Sequence, residues 1–116
     1  MNNQKIARIG ENIAFSYLKS KSYHILAKNL KFCEGEIDLI AQKDKLIVFV
    51  EVKTRTSQFF GYPEEAFNQT KRKRLELAID KYIYKHNYQG DWRVDLITII
   101  IQAKKAYLRH YISLEL

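Results

Sequence analysis

The sequence predicts an α/β fold in which a mixed β-sheet is flanked by helices. Residues 4–20 and about 70–87 repeat apolar side chains with the 3.6-residue period of an amphipathic helix. Five shorter segments rich in β-branched and aromatic residues read as strands. The resulting order, α-β-β-β-α-β-β, predicts a single domain over residues 1–116 with helices packed on the sheet.

The first helix is predicted to bury one stripe and to leave one acid at its edge. At 100° per residue, Glu11 falls beside the apolar arc, so its carboxylate is expected to face partly inward. The arc consists of Ile6, Ile9, Ile13 and Tyr17, with Ala7, Ala14 and Leu18 beside it.

Three strands are predicted at residues 23–29, 36–42 and 46–53. The third is almost continuously apolar, which favours a central strand covered on both faces. A turn at Asp44-Lys45 joins the second and third strands as a hairpin.

The second half is predicted to hold one long helix and two strands. A break at Gly61-Tyr62-Pro63 precedes the helix, which begins at Glu64 or Thr70 and ends near Asn87. Gly90 separates it from strands at 92–102 and 106–113. The inner stripe of the helix comprises Leu75, Ala78, Ile79, Tyr82 and Ile83, with Lys71 on the same side.

Composition narrows the class of protein. The chain carries 20 Lys/Arg and 13 Asp/Glu, a net charge of +7, which favours a polyanionic partner such as nucleic acid. A single cysteine, Cys33, excludes an intrachain disulfide framework and a zinc site built on several thiolates. No signal peptide and no membrane-length apolar run are present, so a cytoplasmic protein without membrane association is expected.

Acidic residues inside apolar strands are the most informative feature. A two-residue turn at Asp44-Lys45 places Asp38 opposite Glu51 and Glu36 opposite Lys53 on one face, with Cβ atoms of opposite residues roughly 5 Å apart. A three-residue turn would put Asp38 and Glu51 on opposite faces. Two close carboxylates repel each other, and a hard divalent cation such as Mg²⁺ or Mn²⁺ relieves that repulsion.

The chemistry of this patch suits metal-dependent phosphodiester hydrolysis. The metal would polarise a phosphate oxygen and lower the pKa of a bound water. Lys53 could orient that water or stabilise charge developing on phosphorus. The alternative is a cross-strand salt-bridge network on a half-exposed face, with Glu36 and Lys53 as its main pair.

Several motifs together resemble the YraN-type family of bacterial proteins over nearly the whole chain. This largely uncharacterised family is similar in fold to the restriction-endonuclease-like PD-(D/E)xK superfamily, and especially to archaeal Holliday-junction resolvases. The motifs are Gly10-Glu11 with Ala14 and Leu18, Gly35-Glu36-Ile37-Asp38-Leu39-Ile40, Val48-Phe49-Val50-Glu51-Val52-Lys53-Thr54-Arg55, Phe60-Gly61 with Pro63 and Ala66, Lys71 with Leu75 and Ala78, and Arg93-Val94-Asp95.

The resemblance implies a role for each matching residue. It implies Asp38 and Glu51 as metal ligands, the Val52 carbonyl as a third ligand, and Lys53 as the catalytic lysine. It also implies Glu11 as the first-helix acid of the same catalytic metal site. Glu36 would support this site from the neighbouring strand.

Basic residues near these motifs are candidates for phosphate binding. Arg55 follows the Glu-x-Lys strand, and Lys71 could reach a phosphate near the site. Arg72, Lys73 and Arg74 form the densest basic block of the chain. For each of them, a solvated surface residue is the competing interpretation.

Two hypotheses follow for function. The first is a Mg²⁺- or Mn²⁺-dependent nuclease acting on DNA rather than RNA, with branched or damaged DNA among its candidate substrates. The second is a noncatalytic nucleic-acid-binding module that retains the nuclease fold. Leu77 and Tyr84 fall outside the inner helix stripe, which raises a homodimer contact as a further hypothesis.

Overall fold

The computed structural model describes residues 3–56 and 68–116. Its elements are α1 (Asn3–Ser20), β1 (His24–Lys31), β2 (Glu36–Lys43), β3 (Leu46–Arg55), α2 (Gln69–Lys85), β4 (Trp92–Gln102) and β5 (Lys105–Tyr111). Their types and order confirm the predicted α/β fold. The expected break at Gly61-Tyr62-Pro63, the alternative helix start at Glu64 and the motif positions Phe60 and Ala66 lie outside the described residues. Neither helix is long and apolar enough to cross a membrane in the part of the chain that the structure describes.

One sheet contains the five strands in the order β1-β2-β3-β4-β5. Strands β3 and β4 are parallel, while the other neighbours are antiparallel. Two parallel neighbours need a crossover connection, and α2 lies in the segment that joins them. The sheet is therefore mixed, as predicted, with β3 at its centre.

The helices cover opposite faces of this sheet. On β3, Phe49 packs with α2 residues, while Val50 packs with α1 residues. Because side chains alternate along a strand, Glu51 and Lys53 follow Phe49 toward the α2 face. The position of these two polar side chains therefore follows from the same alternation that builds the two cores.

The buried face of α1 is centred on small residues. Gly10, Ala14 and Leu18 are buried, whereas the predicted stripe of Ile6, Ile9, Ile13 and Tyr17 is only partly buried and Ala7 is exposed. The predicted centre of the buried face was therefore wrong by one residue, or roughly 100° around the helix axis. The physical reason is close packing: a Cβ at position 10 would overlap the Thr54 hydroxyl of β3.

Helix α2 begins at Gln69, one residue before the predicted start at Thr70, and Asn68 caps it. The Asn68 side chain accepts a hydrogen bond from the Lys71 N–H at 3.0 Å, which satisfies one free donor of the first turn. Burial then starts at Leu75 and continues through Tyr82. Lys71 itself is exposed because the first turn of α2 precedes the buried part of the helix, but it lies on the same side as Leu75, as predicted.

The strand ends differ from prediction by one or two residues. β1 continues past Asn29 to Lys31 because Leu30 and Lys31 still pair with β2. β5 ends at Tyr111, two residues earlier than predicted. Such differences at element ends do not change the topology.

Candidate metal centre

The candidate site lies at a fork between β2 and β3. These strands pair in the predicted register from Lys43–Leu46 to Leu39–Val50, and no further pair follows toward Asp38. Beyond this point β2 remains paired with β1 as far as Glu36. Instead of the next ladder bond, the Asp38 carboxylate accepts the Val52 N–H at 2.8 Å. The fork therefore leaves room for side chains where backbone pairing has ended.

Asp38 and Glu51 meet at this fork, as the hairpin register predicted. Their carboxyl groups lie close enough for each to affect the pKa of the other. Burial, followed by the charge of Glu51, raises the pKa of Asp38 to about 8. Asp38 therefore holds a proton more readily than an ordinary carboxyl group. Burial also raises the pKa of Glu51, in spite of the nearby Lys53 ammonium.

Lys53 completes the central group. Its Nζ lies 3.1 Å from the Glu51 Oε1, and both side chains are largely buried. The predicted cross-strand partner of Lys53 was Glu36, but Glu36 pairs through its backbone with Lys31 of β1. Because β2 has left β3 at this level, the lysine pairs along its own strand. Among the described residues, the proposed Glu36–Lys53 salt bridge is therefore not formed.

Glu11 lies at the rim of the same acidic group. Burial raises its pKa, while a hydrogen bond from Asn29 and the charges of Lys28 and Arg8 oppose this shift. Its charge also contributes to the raised pKa of Asp38, after burial and Glu51. The first-helix acid thus faces partly inward, as predicted, with Asn29 as its hydrogen-bond partner.

A cleft of about 430 Å³ opens over Glu51 and Lys53. The charge of Lys53 is the largest cause of a depressed Lys71 pKa, and burial adds to it. Lys71 and Arg74 thus place two cations beside the acidic group. The residues that line the cleft are Lys31, Phe32, Gly35, Glu36, Glu51, Lys53, Lys71, Arg74 and Leu75.

The other predicted phosphate-binding residues lie elsewhere. Arg72 and Lys73 line a separate depression with Leu116. The Arg72 guanidinium donates to the Glu115 backbone carbonyl at 3.2 Å. Arg55 donates to the adjacent Thr54 carbonyl at 2.8 Å. Helical spacing explains the division of the basic block, because positions 71 and 74 share one face while 72 and 73 turn away.

The oxygen atoms at the fork fit a hard divalent cation. Asp38 and Glu51 supply two close carboxylates, and Val52 supplies a backbone carbonyl. The N–H and carbonyl of one strand residue point to the same side, so the Val52 carbonyl faces the side on which its N–H meets Asp38. Within residues 3–56 and 68–116, no three His, Cys, Asp or Glu side chains converge as a metal-binding group. The candidate donor set is therefore the carboxylate pair with this carbonyl.

A second polar cluster lies under α1, at the Arg93-Val94-Asp95 motif. Asp95 is fully buried and forms an ion pair with Arg93 at 2.9 Å. The structure adds His110, whose Nε2 lies 2.8 Å from Asp95 and whose Nδ1 lies 3.0 Å from the Tyr17 hydroxyl. The sequence signal for this cluster was an acidic residue, Asp95, inside an apolar strand. Its histidine partner could not be found, since the pairing of β5 with β4 decides it.

The fold and the fork together define an α/β protein with two carboxylates and one lysine at the open end of a strand pair. The family UPF0102, described as an uncharacterised protein family, matches residues 10–99. The chain belongs to this family, which confirms the resemblance to YraN-type proteins drawn from its motifs.

Curated relatives extend this match over most of the chain. A UPF0102 protein of Alkaliphilus oremlandii is 42% identical over 111 residues, covering 93% of this chain and 95% of the relative. One from Caldicellulosiruptor bescii is 42% identical over 106 residues, covering 90% and 89%. Another, from Caldanaerobacter subterraneus subsp. tengcongensis, is 43% identical over 109 residues, covering 93% and 89%.

Proposed function

We propose that this protein is a Mg²⁺- or Mn²⁺-dependent nuclease that hydrolyses phosphodiester bonds of DNA. The observation that carries the proposal is the contact between Asp38 and Glu51 beside Lys53, at a fork next to a basic cleft. Two ionised carboxylates buried close together repel each other, so the pair alone destabilises the fold. A bound divalent cation would remove this repulsion.

Each residue of the fork has a distinct role in this proposal. Asp38 and Glu51 hold the cation with the Val52 carbonyl, and Asp38 is fixed in place by the Val52 N–H. A bound Mg²⁺ or Mn²⁺ supplies polarisation of a phosphate oxygen and a water of lowered pKa. Lys53, held by Glu51, stands where it can orient that water or stabilise charge on the phosphate. Glu11 and Glu36 add negative charge at the rim.

The cleft provides a path for the nucleic-acid backbone. Lys71 and Arg74 line it on the α2 side, and Lys31 lines it on the β1 side. Cations on two sides of an acidic centre would hold the phosphates that flank the scissile one. This arrangement favours a polyanionic substrate over a small neutral one.

The decisive experiment is a cleavage assay on linear, nicked, flapped and four-way DNA with Mg²⁺ or Mn²⁺. We expect cleavage by the wild-type protein that disappears with EDTA. Asp38→Asn, Glu51→Gln and Lys53→Ala should each lower the rate by at least roughly a hundredfold, the usual effect of removing a charge-stabilising group. Asp80→Asn, at an exposed position of α2, is the matched control and should cleave normally.

The same assay separates the noncatalytic alternative. A binding module that only retains the fold would bind DNA in a salt-sensitive way, cleave none of the substrates, and bind equally well in the three variants. Absence of metal-dependent cleavage on every substrate would overturn the nuclease proposal. Cleavage that persists unchanged in Glu51→Gln would overturn the assignment of the site.

A further inference from the structure

The positive charge of the chain is concentrated in α1 and β1. Residues 3–31 contain six Lys/Arg and one carboxylate, a net charge of +5. The rest of the chain carries 14 Lys/Arg and 12 Asp/Glu, a net charge of only +2. The single carboxylate is Glu11, which is partly buried at the rim of the fork. The outer surface of α1 and β1 is therefore almost purely cationic.

Aromatic rings organise the lysines on this surface. The Phe15 ring of α1 lies under two of them, with Lys28 Nζ at 4.6 Å and Lys19 Nζ at 5.3 Å from its centroid. Lys21 Nζ lies 6.0 Å from the Tyr17 ring. A cation over an aromatic face is held without being neutralised. The rings thus fix the ammonium groups and leave their charge available to a partner.

These lysines form no close ion pair with a carboxylate of the described residues, although Lys28 is near enough to Glu11 to lower its pKa. None of the ion pairs in that part of the chain involves Lys19, Lys21 or Lys28. Two ammonium groups over one ring repel each other, which costs stability in the free protein. An anionic partner would relieve this repulsion.

The surface runs outward from the candidate centre. Arg8 and Lys28 both act on the charge of Glu11, which in turn acts on Asp38. From Arg8 to Lys19 the helix extends about 17 Å, or about five base pairs of duplex at 3.4 Å each. Because α1 covers the face opposite α2, this surface is distinct from the cleft wall formed by Lys71 and Arg74.

We propose that Arg8, Lys19, Lys21 and Lys28 form a second phosphate-backbone docking surface, the α1–β1 basic surface. It binds several consecutive phosphates of a nucleic acid whose scissile region lies at the fork. The identity of this partner rests on the proposed function, but binding to the surface needs neither metal nor turnover.

The test is a DNA-binding titration in EDTA over a range of salt concentrations. The background is Glu51→Gln, so that cleavage cannot interfere. Lys19→Gln/Lys21→Gln/Lys28→Gln is compared with Lys85→Gln/Lys104→Gln/Lys105→Gln, which removes three exposed lysines at the end of α2 and the β4–β5 turn. Both triple variants lose the same charge, and thermal unfolding establishes that both are folded.

We expect the α1–β1 variant to bind at least about tenfold more weakly. Its salt slope should fall by roughly 0.9 for each DNA phosphate that the variant no longer neutralises. The control variant should retain most of the affinity and the slope. Equal decreases in the two variants would overturn the proposal and indicate only an effect of net charge. Retained DNA binding together with abolished binding to phosphatidylserine vesicles would overturn it in favour of a membrane surface.

These outcomes are independent of the nuclease proposal. Cleavage by the wild-type protein with unaltered DNA binding in the α1–β1 variant would leave the nuclease assignment standing and overturn the docking surface. Weaker DNA binding in the α1–β1 variant alone, with no cleavage by the wild-type protein, would support the docking surface and overturn the nuclease assignment.

Discussion

Asp38 and Asp95 lie on two strands of one sheet, yet their surroundings are opposite. Asp95 is held by Arg93, by His110 and by the Ser113 N–H. Burial alone would raise its pKa, but these partners together hold it below the ordinary value. Asp38 receives one backbone N–H and otherwise faces acids, so its pKa rises to about 8.

These different partners distinguish a carboxylate with a structural role from a carboxylate that is suited to bind an exchangeable cation. A buried carboxylate that the chain supplies with its own cations needs nothing from solution. A buried carboxylate surrounded by other carboxylates is destabilised as an anion until a cation arrives. Burial and an apolar strand are common to both, so the partners alone distinguish the two roles.

The largest expected effect comes from removing the structural carboxylate. Asp95→Ala leaves Arg93 without its carboxylate partner and the Ser113 N–H without an acceptor, and should lower the free energy of unfolding by about 3–5 kcal/mol. In a thermal unfolding experiment, Tm should fall by more than about 10 °C. Asp91→Ala, at an exposed position just before β4, is the control. An unchanged Tm would mean that the Asp95 cluster is not a structural element.

Removing the Asp38 carboxylate at the fork should instead stabilise the protein, by an amount that depends on pH. In EDTA the native state keeps a proton on Asp38 that the unfolded chain has lost, between pH about 4 and about 8. The unfolded state then binds fewer protons, so stability falls as pH rises through this window. Asp38→Asn should remove this contribution and raise Tm at pH 8 by roughly 5 °C or more relative to wild type, equivalent to about 1 kcal/mol.

Mn²⁺ provides the matching measurement on the wild-type protein. Saturation at a hundredfold excess over its Kd stabilises the native state by about 2.7 kcal/mol. We expect this gain at pH 8, a smaller one at pH 5, and none in Asp38→Asn. A Tm gain of equal size in the variant would place cation binding away from the fork.

The smallest expected effect concerns the far end of the Asp95 cluster. A carboxylate only accepts hydrogen bonds, so His110 Nε2 donates to Asp95, while His110 Nδ1 forms a hydrogen bond with the Tyr17 hydroxyl. Tyr17→Phe keeps the ring and removes this single bond, which should cost about 0.5–1.5 kcal/mol. Chemical denaturation can resolve this change. DNA cleavage, if it occurs at the fork, should be unaffected.

Local patterns predicted much of the fold and the centre of the site. Period-2 alternation in β2 and β3, together with the two-residue turn, predicted the register as far as Leu39–Val50, which brings Asp38 and Glu51 close together. The helix period identified the buried side of α2 correctly from Leu75 to Tyr82. These features depend on residues close in sequence, where spacing alone determines which side chains share a face.

The parts that were missed depend on packing between distant segments. The buried face of α1 follows Gly10 and Ala14 because small residues allow the closest approach to the sheet, which hydrophobicity does not reveal. Glu36 could not pair with Lys53, since β2 follows β1 away from β3 at the fork. His110 reaches Asp95 only through the pairing of β5 with β4.

The close packing of Gly10 against Thr54 has a consequence for the residue that follows it. Hydrogen is the only substituent at position 10 that lets the helix backbone rest on β3. The next residue, Glu11, is thereby held at a fixed height above the strand that carries Glu51. In the dipeptide Gly10-Glu11, the glycine sets the distance between helix and strand, and the glutamate supplies the charge. Gly10→Ala would increase this distance and so move the Glu11 carboxylate without altering its chemistry.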